Sequence, residues 1–178
     1  MPVENVYTAE RPIRPSSELK FIMEKAWISV GSTTTGSVID PLTAACEEGF
    51  VPDTVYLLGN PSIDHKMGEL ADMTSEVIEV YDEEPEIKLR ETETETSFDE
   101  LYLTIRDCIE EAQEQDSEVA VNFTPGRKFM TAIAFQTGMK CDVEHLYYFH
   151  IHSSDNYGKS YPEIPRTAAD LIDFREEM

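Results

Sequence analysis

Thr124-Pro-Gly-Arg-Lys128 is the segment best equipped for chemistry, because a glycine and two cations follow directly on the apolar run Val119-Ala-Val-Asn-Phe123. A strand running into such a turn is suited to holding an anion. Pro125 fixes φ and Gly126 lets the backbone approach a ligand closely, while a helix opening at about Arg127 would aim its first unpaired N–H groups at the same point. Arg127 and Lys128 add full charges to that partial positive pole, and Asn122 and Thr124 add an amide and a hydroxyl. The plainer reading is a strand-to-helix turn with solvated basic residues.

A second loop has matching character. Gly31-Ser-Thr-Thr-Thr-Gly-Ser37 follows the short run Trp27-Ile-Ser-Val30 and offers hydroxyls from Ser32, Thr33, Thr34, Thr35 and Ser37. Taken alone it is an ordinary polar connector. Paired with the basic turn it suits a phosphodiester or nucleotide. The spacing Gly31-x4-Gly36 disfavours a standard dinucleotide fingerprint, and neither loop carries the G-K-[ST] that a P-loop requires.

The elements that must position these loops alternate. Trp27–Val30 reads as strand one, and a helix over 41–48 is capped by Asp40, opened by Pro41 and closed by Gly49. Thr54–Leu58 is strand two. The apolar spacing from Ile63 to Tyr81 predicts a helix, Ile87–Arg90 a third strand, and the stripe from Phe98 to Ala112 a helix capped by Ser97. Strand four is Val119–Phe123, helix four runs from Arg127 to a stop at Gly138, strand five is Leu146–Ile151, and a short helix over Ala168–Arg175 closes the chain. Such alternation implies an α/β, Rossmann-like open parallel sheet with helices on both faces. If strands two and three wind outward and strand four returns beside strand one, the ligand crevice lies at the switch point between strands one and four, where the two loops meet. Residues 1–24, with Pro2, Pro12 and Pro15, read as an extended arm with one turn of helix after Ser17; 25–152 form the domain, and 153–178 a closing loop and short helix.

Composition bounds the partners. A chain of 178 residues with 40% hydrophobic content suits one folded domain, and its 36 acids against 14 bases give a formal charge of −22. That field repels duplex nucleic acid and anionic membranes, so any phosphate ligand must be met by a local cluster of cations. The surplus of acid is of the kind found in halophilic proteins, where salt screens self-repulsion. Three unpaired-looking cysteines, Cys46, Cys108 and Cys141, together with a Met-Pro-Val-Glu-Asn start that does not read as a signal sequence, lead to the expectation of a cytoplasmic protein.

The hydroxyl-rich first loop, Pro52-Asp-Thr-Val-Tyr-Leu-Leu58 and above all Asn122-x-Thr-Pro-Gly-Arg-Lys-x-Met130 resemble the CRISPR-associated Rossmann fold (CARF) domains over about Ala26 to His152. Many relatives carry a second glycine where this chain has Pro125. The resemblance implies a homodimer that cradles one cyclic oligoadenylate across its two-fold axis. Stand-alone members called ring nucleases cleave that ring without metal or cofactor, the ribose 2′-hydroxyl attacking the adjacent phosphate. It further implies that Lys128 stabilises the charged phosphorane and that Ser32 or Thr33 positions the attacking group, with Gly31, Thr34, Thr35, Asn122, Thr124, Pro125, Gly126 and Arg127 binding the ligand. Larger relatives add an effector such as an RNase with R-x4-H, and no arginine here has histidine five positions on. Two functions stay open beside each other: a ring nuclease, and a non-catalytic sensor acting on a partner chain. A more remote one is another nucleotide-binding Rossmann-like protein.

Three lesser constellations compete. Pro52-Asp53 with Glu86-Ile-Lys88 imitates a PD…ExK nuclease without its hairpin, in a chain where acids are abundant. His150 and His152 share one strand face but have no third metal ligand in view, which favours a polar pair on an edge strand. The acids between Ser75 and Asp116 are scattered as on a solvated face.

Overall fold

The computed structural model describes residues 23–81 and 84–178. The greater part of the arm assigned to 1–24, including the turn after Ser17, lies outside them. Strands β1 (Lys25–Val30), β2 (Thr54–Gly59), β3 (Glu86–Glu91), β4 (Glu118–Asn122), β5 (His145–Ile151) and β6 (Ala169–Asp173) form one sheet in the order β3-β2-β1-β4-β5-β6. The first five run parallel and β6 is antiparallel to β5. Helices α1 (Thr35–Glu47), α2 (Asp64–Glu79), α3 (Phe98–Glu114) and α4 (Lys128–Lys140) make the crossovers, and α5 (Phe174–Glu177) ends the chain.

Alternation along the central strands builds both faces. Ala26, Ile28 and Val30 point with Tyr56, Val121 and Leu146 toward α3 and α4, while Trp27 points with Val55, Leu57 and Tyr147 toward α1 and α2. Burial on both faces is why β1, β2 and β4 are nearly continuous apolar runs. Each fully buried Leu or Ile, such as Leu42, Leu70, Ile105 and Ile109, contributes about 1.5–3 kcal/mol of apolar transfer.

Four local expectations change. Helix α1 begins at Thr35 rather than Pro41, so Asp40 is no cap and Pro41 lies inside the helix. Interior proline costs about 3 kcal/mol. Burial of Val38, Ile39, Leu42 and Ala45 against the sheet offsets that cost. The first loop accordingly shrinks to Gly31–Thr34, and Thr35, Gly36 and Ser37 become the first turn of α1. Helix α4 passes through Gly138, where an added Cβ would stand 2.5 Å from Leu146 Cδ2, so this glycine serves close packing on β5. The stop comes at Asp142, whose φ of 54° is the left-handed conformation that ends helices. Lastly, Ala169–Asp173 is strand β6, not part of a terminal helix: in Ala-Asp-Leu-Ile-Asp the two aspartates offset the strand preference of isoleucine, and the open edge of β5 decides the outcome. Phe174 then packs on Phe123 and Phe135.

Strand β6 also removes His150 and His152 from any sheet edge. Their rings lie 5.3 Å apart, His152 Nε2 is 2.7 Å from Asp170, and among the described residues no group of three metal-ligating side chains gathers. The Asp53 carboxylate accepts the Lys25 backbone N–H at 2.7 Å at the opposite end of the sheet from the two loops, and Lys88 is paired with Glu86 and Glu111. These are structural roles. No helix among the described residues is long and apolar enough to cross a membrane.

Candidate functional site

The order β2-β1-β4-β5 puts the topological switch between β1 and β4, and the loops following those two strands meet above it. Both loops feed directly into helices. The N-termini of α1 and α4 therefore face one crevice, each with backbone N–H groups that have no partner within the helix.

The first loop is held by contacts that leave little freedom. Gly31 N–H donates to Leu58 O at 2.7 Å, and a Cβ at Gly31 would lie 2.8 Å from both Ile63 Cδ1 and Met67 Sδ. Thr34 N–H donates to Ser32 Oγ at 3.1 Å, and the Ser37 hydroxyl donates to Thr34 O at 2.7 Å. Ser32 Oγ thus serves its own turn, and Thr33 and Thr34 are exposed. Lys66 from the first turn of α2 donates its ammonium to Thr33 O at 3.3 Å, which brings a third cation to the loop.

The second loop is organised by Asn122 from below. This side chain is fully buried, donates to Ser29 Oγ at 3.1 Å and accepts the Thr124 N–H at 3.0 Å. Asn122 therefore shapes the turn rather than lining the crevice. Thr124 Oγ1 accepts the Phe149 N–H at 2.9 Å, tying the turn to β5. Pro125 is buried, while Gly126, Arg127 and Lys128 are exposed. Gly126 has φ of 97°, which a Cβ would strain, and that Cβ would also stand 3.1 Å from Met130 Cβ.

Two cavities open at this end of the sheet. One, of about 260 Å³, lies between the two loops and is bordered by Gly31, Ser32, Thr33, Thr34, Gly126 and Arg127, with Asn60 and Glu95 at its side. Arg127 Nη2 is 2.8 Å from Glu95, so its charge is already shared with a carboxylate at the rim. Lys128 borders neither cavity and forms no ion pair among the described residues. The other cavity, of about 470 Å³, lies between α1, the end of β5 and the segment Tyr157–Ser160; Thr34, Thr35 and Thr124 reach it, and Ile39, Met73, Phe149 and Ile151 make its walls apolar. Thr34 borders both.

Sequence reasoning misses four residues here. Lys66 reaches the first loop and Lys159 lines the larger cavity, and the signal was the rarity of cations in so acidic a chain. Phe149 hides within a strand pattern. Asp40 reads as a helix cap, yet it is 4% exposed on the wall of the larger cavity, where burial pushes its carboxyl up to about 6 against the opposing hydrogen bond from Tyr161 N–H.

No family model matches the sequence, and no curated protein matches it. Solved structures share its fold. Csm6 from Enterococcus italicus, bound to cyclic hexa-2'-fluoro-hexa-dAMP, superposes with a TM-score of 0.57 at 16% identity over 84% of this chain and 41% of that one. Protein VC1899 from Vibrio cholerae gives a TM-score of 0.54 at 13% identity over 69% of this chain and 30% of that one. A type III CRISPR defence DNA nuclease activated by cyclic oligoadenylate gives 0.50 at 19% identity over 72% and 19%. The chain spans less than half the length of each.

Proposed function

We propose that this chain is a CARF domain protein of a type III CRISPR system, that it binds a cyclic oligoadenylate as a homodimer, and that it cleaves the ring. The observation carrying the reading is the convergence of two helix N-termini, a hydroxyl-rich loop and Arg127 on one crevice, with Lys66 bonded to the same loop, in a chain that otherwise repels polyanions. Its fold, common to proteins described with such ligands, supports it.

In cleavage, a ribose 2′-oxygen forms a bond to the adjacent phosphorus, the bond from phosphorus to the 5′-oxygen breaks, and the 2′-proton ends on the leaving 5′-oxygen. Lys128 and the free N–H groups at the start of α4 stabilise the added negative charge on phosphorus. The Thr33 hydroxyl, exposed beside Ser32, holds the attacking sugar in line. Lys128 stands clear of the cavity within one chain, so its place at the phosphate depends on the ring spanning two chains. No step uses a metal or cofactor. One feature favours the sensor reading instead: a phosphate at Arg127 competes with Glu95 for the guanidinium, and the resulting shift of that ion pair is suited to signalling.

The test is incubation with cyclic tri-, tetra- and hexa-adenylate in the presence of a chelator, with products resolved by chromatography. Linear products ending in 2′,3′-cyclic phosphate are expected. A ring that binds and stays intact over hours at saturating protein would leave only the sensor.

A further inference from the structure

The larger cavity holds a polar atom without a partner. Asp40 Oδ1 accepts the Tyr161 N–H at 2.9 Å, whereas Oδ2 has no hydrogen bond among the described residues. Oδ2 faces Gly36, where an added Cβ would stand 2.9 Å away, so the missing side chain keeps this oxygen uncovered. Ile39, Met73, Phe149 and Ile151 give the cavity its apolar wall, and Lys159, whose ammonium donates to Asn156 Oδ1 at 2.9 Å, also lines it. A carboxylate oxygen with no protein partner, on a side chain this buried and beside an apolar wall, is suited to accept from a ligand donor. At neutral pH this carboxyl, whose pKa burial raises to about 6, is ionised and can only accept.

The cavity's size and walls suit one flat aromatic base. Thr34 separates it from the crevice of the two loops, so one nucleotide can set its phosphate against the loops and its base against Phe149. We propose that Asp40 is a specificity-determining residue that accepts a hydrogen bond from the exocyclic amine of the bound base, selecting a 6-aminopurine over a 6-oxopurine. A 6-oxopurine would set its carbonyl oxygen against the carboxylate. The assignment rests on the cyclic-oligonucleotide reading above for the ring, but the base pocket is testable without it.

Binding of cyclic tetra-adenylate and of its inosine counterpart is compared by calorimetry at pH 7.5 for the wild type, Asp40→Asn and Gly36→Ala, with adenosine and inosine at millimolar concentration as ring-free probes. The wild type is expected to prefer adenine by about 10-fold to 100-fold, the scale of one buried acceptor left unpaired. Asp40→Asn keeps an oxygen for Tyr161 N–H and turns an amide NH₂ to the cavity, so the preference should vanish or reverse. Gly36→Ala sets a methyl 2.9 Å from Oδ2, so the carboxylate must shift, and should weaken adenine binding with the residue at position 40 unchanged. Adenosine preference without ring binding would remove the function proposed above and keep the base pocket. Equal binding of adenosine and inosine by the wild type, no binding of either, or a preference unchanged in Asp40→Asn would overturn the role of Asp40.

Discussion

Replacing Asp40 by asparagine should stabilise the protein at neutral pH and leave it nearly unchanged in acid. The carboxyl is 4% exposed, and burial lifts its pKa from 3.8 to about 6. Between those two values the folded chain binds a proton that the unfolded chain has released. Stability therefore falls as pH rises from about 4 through about 6, and is flat above. Each tenfold change in ionisation is worth about 1.4 kcal/mol, so ionised Asp40 costs the folded state about 3 kcal/mol at pH 7.5. Asparagine escapes this cost and keeps the bond to Tyr161 N–H. Urea unfolding of both proteins at pH 4.5 and pH 7.5, at one high salt concentration, gives the difference directly, because titrations common to both cancel. An advantage for Asp40→Asn that grows by about 2 kcal/mol between the two pH values is expected. An equal difference at both would show that the carboxyl titrates as if solvated, and the reasoning would fail.

Other perturbations have equally definite outcomes. Burial works against the charge of His145, but its hydrogen bonds to Asp173 at 2.6 Å and Glu118 at 2.8 Å prevail and raise its pKa above 6.5. Its clamp between β4 and β6 is thus fully present below 6.5 and lost as pH rises through the raised value, so His145→Gln should destabilise at pH 6 and much less at pH 9 in the same unfolding assay. Gly126→Ala should cost about 1–2 kcal/mol through its positive φ and weaken ring binding by displacing the turn, both read by denaturation and calorimetry. Lys128→Ala should slow cleavage about 100-fold or more while weakening ground-state binding less, in single-turnover kinetics. Affinity for the ring should depend far less on salt than in a basic nucleic-acid binder, because salt screens the repelling field and the attracting cations together. A steep loss with the fold intact would refute that balance.

The parallel order of β3-β2-β1-β4-β5 and the meeting of two loops at its switch point are legible in the sequence because strong periodicities and a right-handed crossover leave few alternatives. What escapes notice is set by tertiary contacts. Pro41 advertises a helix start, but the burial of Val38 and Ile39 pulls the helix back to Thr35. Gly138 advertises a stop, but it is the residue that lets α4 meet Leu146. Strand β6 has weak local preference and exists because β5 offers an edge. At the site, the Gly31 and Gly126 turns follow from residue type, whereas the inward turn of Asn122 and the reach of Lys66 depend on distant partners. Asp40 and Tyr161 are separated by 121 positions, and no local pattern joins them.

The central claim is that two chains join their crevices around one ring. Calorimetric titration of the protein with cyclic tetra-adenylate, with light scattering on the same samples, measures this directly. A dimer that saturates at one ring per two chains is the expected outcome. A monomer at saturation, one ring per chain, or no heat of binding with tri-, tetra- or hexa-adenylate would contradict it.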